Sequence, residues 1–254
     1  MRKIQHIKNQ KGIVVSTQNL FNSYNQLRVN ADLIQKNVEV MEAAANAVQT
    51  QASIGMATQA DVLKAQKNLQ SIKSTQTETL SSLETLRQNL CMMTGWSYNA
   101  QPEIKEVPQA DLAAIDQINL EADRQKALEN NYDLQYSRRA LNNMQENSTD
   151  KKNQERTVKN LEQSISASMT NLYNDIQQKK IAWQLAQAEL ATEQQSMSAT
   201  ETKRGLGMVS DLEYLQAQSS FLGKQIAEKT ANMALFQAVE TYNWAVNGYL
   251  NQTQ

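Results

Sequence analysis

Fifteen residues at 55–69, GMATQADVLKAQKNL, return at 207–221 as GMVSDLEYLQAQSSF, 152 positions later. Gly55/Gly207, Met56/Met208, Leu63/Leu215, Ala65/Ala217 and Gln66/Gln218 are identical, while Thr58/Ser210 and Asp61/Glu213 keep their chemistry. The same offset pairs Leu20-Phe21-Asn22 with Leu172-Tyr173-Asn174, and one extra residue brings Gly95 onto Gly248. A period this long means two copies of one supersecondary unit. An active site has no need of such duplication; a wall or a tube does.

The rest of the composition says what that unit is. Only 2 Pro and 7 Gly interrupt 254 residues rich in Ala, Gln, Asn, Leu, Lys and Glu. Strong helix formers dominate and the breakers sit at a few points. A mean hydropathy of −0.62 with 6% aromatics argues against a thick apolar core and for thin seams between helices. Acids and bases are interspersed to a net charge of −1, with no basic stripe, which disfavours nucleic-acid binding. The single cysteine, Cys91, excludes an internal disulfide framework and reads as a small residue on a buried helix face. The one histidine, His6, lies in a polar amino-terminal stretch and cannot build a histidine-rich metal site. No run of 18 apolar residues exists, so no membrane-spanning helix is expected. The apolar run Ile13-Val14-Val15 is too short for the core of a signal peptide. Either the chain is cytoplasmic or a targeting segment lies outside it.

Mostly apolar positions recur at alternating steps of three and four, with polar intruders that weaken each line but do not change its period. Ala31, Ile34, Val38, Met41, Ala45, Val48 and Ala52 form one line; Val62, Ala65, Leu69, Ile72, Gln76, Thr79, Leu83, Leu86, Leu90 and Met93 form another. In the second copy the lines are Ile165, Met169, Leu172, Ile176, Lys179, Trp183, Ala186 and Leu190, then Leu212, Leu215, Ser219, Leu222, Ile226, Lys229, Met233 and Phe236. These are seams of coiled-coil type. Gly55 and Gly207 stand where a helix ends in the left-handed region. Thr58 and Ser210 follow as N-caps, with Asp61 and Glu213 completing capping boxes. Each copy therefore reads as two antiparallel helices joined by a turn of about three residues. A helix over 15–54 would be about 60 Å long at 1.5 Å per residue.

Residues 96–110 hold both prolines and read as an extended linker. A shorter amphipathic helix is expected at 111–128, broken at Asn130-Asn131 and resumed at 133–146; the polar stretch 145–157 reads as a loop or a solvated joint. By repeat, the chain divides into residues 1–95, 96–150 and 151–254: first hairpin, linker with shorter helices, second hairpin.

The doubled pattern Gly-x-x-(Ser/Thr)-x-x-(Asp/Glu)-x-Leu-x-Ala-Gln at Gly55–Gln66 and Gly207–Gln218 resembles the TolC family of outer-membrane efflux ducts. So do the helix end Leu90-Cys-Met-Met-Thr-Gly95 and Ala127-Leu-Glu-Asn-Asn-Tyr-Asp-Leu-Gln135, where Tyr132 replaces the family's usual proline. The resemblance covers nearly the whole chain. It implies an all-α fold of long antiparallel hairpins in two internal repeats, assembled as a homotrimer around a hollow α-barrel in the cell envelope. Family members also insert a β-strand pair in each repeat. Residues 141–160 show no alternating pattern for one pair, and the other pair, with the first copy's opening helix, would precede Met1.

The resemblance assigns the turns Gly55, Met56, Ala57, Thr58 and Gly207, Met208, Val209, Ser210 to docking a periplasmic adaptor protein; contact between tips within the oligomer is the alternative. It assigns Arg204, Glu213 and Gln216 to the constricted entrance. Glu213 reads first as a capping acid, Gln216 stands where the family often has a second acid, and Arg204 is equally a cation near a helix C-terminus. No Ser/His/Asp order, phosphate loop or paired metal ligands support catalysis or a cofactor. The expected function is passive conduction of exported small molecules or peptides as part of a tripartite pump. A coiled-coil scaffold without a lumen is the rival, and without barrel strands the chain could also stand as a monomer.

Overall fold

A computed structural model describes residues 2–146 and 149–250. Among these residues seven helices follow in order: α1 (Arg2–Ser53), α2 (Gln59–Met93), α3 (Leu112–Asp116), α4 (Leu120–Asn130), α5 (Tyr132–Asn142), α6 (Thr149–Gly205) and α7 (Asp211–Val246). No strand occurs among the described residues. The helix ends obey the repeat: α1 and α6 stop 152 positions apart, as α2 and α7 start, while α7 has 36 residues to the 35 of α2. The extra residue of the second copy therefore lies inside α7.

Four glycines close the four long helices in the same way. Gly55, Gly95, Gly207 and Gly248 have φ of 77°, 85°, 72° and 88°. Their N–H groups and those of the following residues turn back onto the last helical carbonyls: Gly55 to Ala52 and Met56 to Gln51, Gly207 to Arg204 and Met208 to Lys203. Gly95 and Trp96, and Gly248 and Tyr249, do likewise. This paired pattern satisfies carbonyls that would otherwise be orphaned, and a left-handed residue is what lets the chain reach them.

Packing groups the residues into two compact units that cut across chain order. The division at 95/96 and 150/151 is a partition by repeat rather than by packing, and we keep it as the proposed trace of duplication.

The first unit takes residues 1–19, 108–181 and 232–254. Its core consists of Ala127, Leu134, Ile165, Met169, Ile176, Leu235, Tyr242 and Ala245. The Tyr242 hydroxyl donates to Asp123 at 3.1 Å, and burial together with that carboxylate pushes its pKa above the usual phenol range. Asn131 caps α5 through Leu134 N–H at 2.9 Å. Tyr132 fills the first position of α5, where a proline would be tolerated. Its N–H, which proline lacks, donates to Gly248 O at 3.3 Å.

The second unit takes residues 20–107 and 182–231. In it α1 meets α2 through Glu42–Lys73 at 2.7 Å, and α6 meets α7 through Glu189–Lys224 at 2.8 Å and Trp183–Glu228 at 2.6 Å. The linker is held by Arg28, which reaches Ile104 O at 3.2 Å and Glu106 at 3.4 Å.

Several expectations need correction. The helix expected over 15–54 runs from Arg2 to Ser53 as α1, with Ile4 already buried, so the polar stretch around His6 is helical too. The single helix expected at 111–128 is two, because Asn119 turns its carboxamide onto Ala122 N–H at 3.1 Å and starts α4 afresh. The helix expected to 146 ends at Asn142, and most of 145–157 is helical because α6 begins at Thr149. Within that stretch Asn147 and Ser148 lie outside the described residues. Met41, Met93 and Lys229, placed on seams, are exposed. Cys91 is buried beside Arg87, as its reading required.

Candidate functional site

The candidate site is the pair of hairpin tips, both within the second unit. In each, a glycine ends one helix and a capping box starts the next. Thr58 N–H and Oγ1 donate to Asp61 Oδ2 at 2.9 and 2.7 Å, and Asp61 N–H returns to Thr58 Oγ1 at 3.2 Å. Ser210 N–H and Oγ both donate to Glu213 Oε2 at 2.8 Å, and Glu213 N–H returns at 3.2 Å. These bonds satisfy free amides at the start of α2 and α7 and favour the ionised acids. The Thr58 hydroxyl and then its amide lower the pKa of Asp61; the Ser210 amide and then its hydroxyl lower that of Glu213.

The apolar residues of the turns divide in two. Met56 is 77% exposed and Met208 70%, whereas Ala57 and Val209 are half-buried. Sequence reading missed two more: Ile54 is 66% exposed and Leu206 70%. The repeat carried the signal, since 54 and 206 are equivalent and flank the glycines. Each tip thus offers two bare aliphatic side chains, one on either side of its left-handed residue.

The two tips differ at their edges. Arg204 lies over the Tyr214 ring at 3.8 Å and donates to Asp211 at 3.1 Å. The equivalents of these three in the first copy are Ala52, Val62 and Gln59, which cannot make such a latch. Of the three residues expected at the entrance, Arg204 is thus engaged within its own hairpin and Glu213 caps α7. Gln216 is exposed.

Elsewhere, the first unit holds an open groove of about 320 Å³ lined by amides and rings, among them Asn19, Asn171, Gln237, Trp244 and Tyr249, with no charged group. No cluster of His, Cys, Asp and Glu suited to a metal occurs among the described residues, and no described helix is long and apolar enough to cross a membrane.

No sequence-family model and no curated protein matches the chain. Solved structures do. CusC, described for conformational changes accompanying folding and transmembrane channel formation, is 15% identical with a TM-score of 0.67; the match covers 93% of this chain and 77% of that one. The outer membrane protein VceC of Vibrio cholerae is 13% identical at 0.55, covering 97% and 72%. The CmeC outer membrane channel of Campylobacter jejuni is 12% identical at 0.54, covering 99% and 66%. With its glycine-closed hairpins and long helices, the chain has the fold of the helical duct in TolC-type outer-membrane channels.

Proposed function

We propose that the chain is the α-helical wall of an export duct in the cell envelope, a homotrimer in which six hairpins surround a water-filled lumen. The observation that carries this reading is the duplication of the tip, glycine closure, capping box and exposed aliphatic pair alike. A scaffold has no reason to keep two matching turns 152 residues apart. A ring of hairpins has one, because every tip then reaches the same end and meets the same kind of partner.

In this reading the tips dock a periplasmic adaptor through Ile54, Met56, Leu206 and Met208, since exposed aliphatic groups at the end of a polar rod favour a partner that covers them. Glu213 and Gln216 face the entrance, Arg204 steadies the second tip, and exported small molecules or peptides pass without chemical change. The polar composition fits a wall wetted on two sides and sealed by narrow seams.

Light scattering and negative-stain imaging of the same preparation test the reading. The expected result is a mass of three chains and a ring with a stain-filled centre. A solid rod would return the chain to the scaffold class.

A further inference from the structure

The groove of the first unit lies where the two copies of the hairpin differ in character. Asn19 on α1 and Asn171 on α6 are equivalent positions, 152 apart, and both line it. Gln237 and Trp244 on α7, and Tyr249 just beyond, complete the polar and aromatic part of its wall. Counted back from the glycines that close α2 and α7, the equivalents of these three in the first copy are Glu84, Cys91 and Trp96. There Glu84 pairs with Arg87, whose guanidinium donates to Ala100 O beside the buried Cys91. At corresponding positions, then, copy one carries a charged pair and copy two an uncharged opening of about 320 Å³.

The rings of the groove are held in place. Trp244 Nε1 donates to Gln18 at 2.7 Å, and Tyr249 stands edge-on to the indole, with centroids 6.5 Å apart and planes at 76°. Gly12 makes room for Tyr249, whose hydroxyl lies 3.1 Å from where a Cβ would stand. Lys11 Nζ lies over the indole, 4.9 Å from its centroid, but does not line the groove. The polar groups are only partly used. Gln237 Nε2 donates to Asn19 Oδ1 at 3.2 Å, whereas Ser168 and Asn171 make no side-chain hydrogen bond among the described residues. A carboxamide both donates and accepts, as does a hydroxyl, so this lining matches a ligand that does the same. An ion would lose its hydration with no opposite charge in the lining. A hydrocarbon would leave the amides without partners. A sugar ring has hydroxyls around its rim and a C–H face that lies on an aromatic ring. The volume stands at the lower end of the range for small-molecule sites, about 300–1,000 Å³, which suits a mono- or disaccharide.

We propose that this groove binds a neutral pyranose, with the indole of Trp244 against the C–H face of the sugar and Asn171, Ser168 and Asn19 holding its hydroxyls. The site lies wholly in the first unit and uses neither hairpin tip, so it stands or falls apart from the duct reading. A free sugar and the sugar of a polymer present the same ring, and the open side of the groove admits either.

Cellobiose, maltose and N,N′-diacetylchitobiose are the probes, titrated into the full chain by calorimetry and by tryptophan fluorescence. At least one should bind and shift the emission, while glucuronate, glucosamine and cyclohexanol bind about five-fold more weakly or not at all. In Trp244→Phe the affinity should fall and the emission shift should vanish, because Trp96 and Trp183 lie outside the groove. Asn171→Leu should weaken binding about five-fold at an unchanged melting temperature, since Asn171 is exposed and bonds to no other side chain. The proposal is overturned if none of the three sugars binds, or if the charged or apolar probes bind equally well. It is also overturned if the emission shift survives Trp244→Phe, or if Asn171→Leu keeps full affinity. Sedimentation with chitin and cellulose separates the two sources of the ring. A chain that binds disaccharides but not the polymers takes a free sugar; one retained by a polymer and released by its disaccharide takes a strand. Retention that the disaccharide does not release would place the binding outside the groove and count against it.

Discussion

Glycines that close their helices with the same left-handed turn carry different costs of substitution, and the difference is measurable. At Gly207 an added Cβ meets nothing within 4 Å, so only the left-handed backbone at φ 72° resists. Replacement by valine should lower stability by about 1–2 kcal/mol, read from denaturant melting. At Gly248 the same Cβ would stand 2.1 Å from Asn130 O, a backbone atom that cannot step aside. Gly248→Ala should therefore destabilise clearly more than Gly207→Ala, and equal losses would refute the buried contact. The capping acids give a second prediction, in pH. Asp61 and Glu213 have folded pKa values below their ordinary ones, and Glu84, held by Arg87 and then Gln88, falls to about 2. A depressed acid contributes stability that is complete above its ordinary value and is lost as pH falls through the folded one. Melting temperature should thus be flat near neutrality and decline on acidification below about pH 4.5, the ordinary value for a glutamate. Thr58→Ala with Ser210→Ala should shrink that decline; an undiminished decline would place its source elsewhere.

At the scale of the helix, burial tells which stripes matter. On α2 the line from Val62 to Leu90 is buried or half-buried at every step, while nearly all its neighbours are exposed, as a single-seam helix should be. Ile176 on α6 is fully buried, and Ile176→Ala should cost about 2–5 kcal/mol in a chemical melt. Leu80→Ala, at 51% exposure, should stay within about 0.5 kcal/mol. Similar losses at both positions would mean that the seam is misassigned. Period and turn chemistry made the long hairpins legible in the sequence, because glycine, cap and heptad agreed at each tip. The periodicity gave no way to choose between stripes, however. The lines read on α2 and α7 are not equivalent: Val62 answers to Tyr214, whereas the α7 line runs through Leu212 and Leu215 and faces α1. Apolarity alone picks the greasier stripe of a helix that has two. The break at 117–119 was illegible for another reason. It contains neither glycine nor proline, and only the bond from Ala122 N–H to the Asn119 side chain reveals it.

At the scale of the molecule, duplication supplies its own control, since two copies of one hairpin differ only by substitutions and the one residue inserted in α7. Exposed Ile54 and Leu206 follow from the repeat once burial is known, but no pattern in a single copy distinguishes an exposed aliphatic at a helix end from a buried one. The latch of Arg204 on Tyr214 and Asp211 is the clearest departure from equivalence at the tips. A cation over a ring and an exposed ion pair together contribute roughly 1 kcal/mol. That is small beside a core contact but large for a turn, where opening needs little free energy. Amides of the second tip, at 207–212, should therefore exchange with deuterium several-fold more slowly than their equivalents at 55–60, after correction for intrinsic rates. Arg204→Ala should bring the second tip to the rate of the first without altering exchange near Ile176. Equal rates in the unaltered protein would show that the latch does not hold in solution. Slower exchange surviving in Arg204→Ala would assign the asymmetry to Tyr214 packing alone. If the latch holds, the two hairpins of one chain respond differently to the same pull, because only the second must release an arginine before its turn can open.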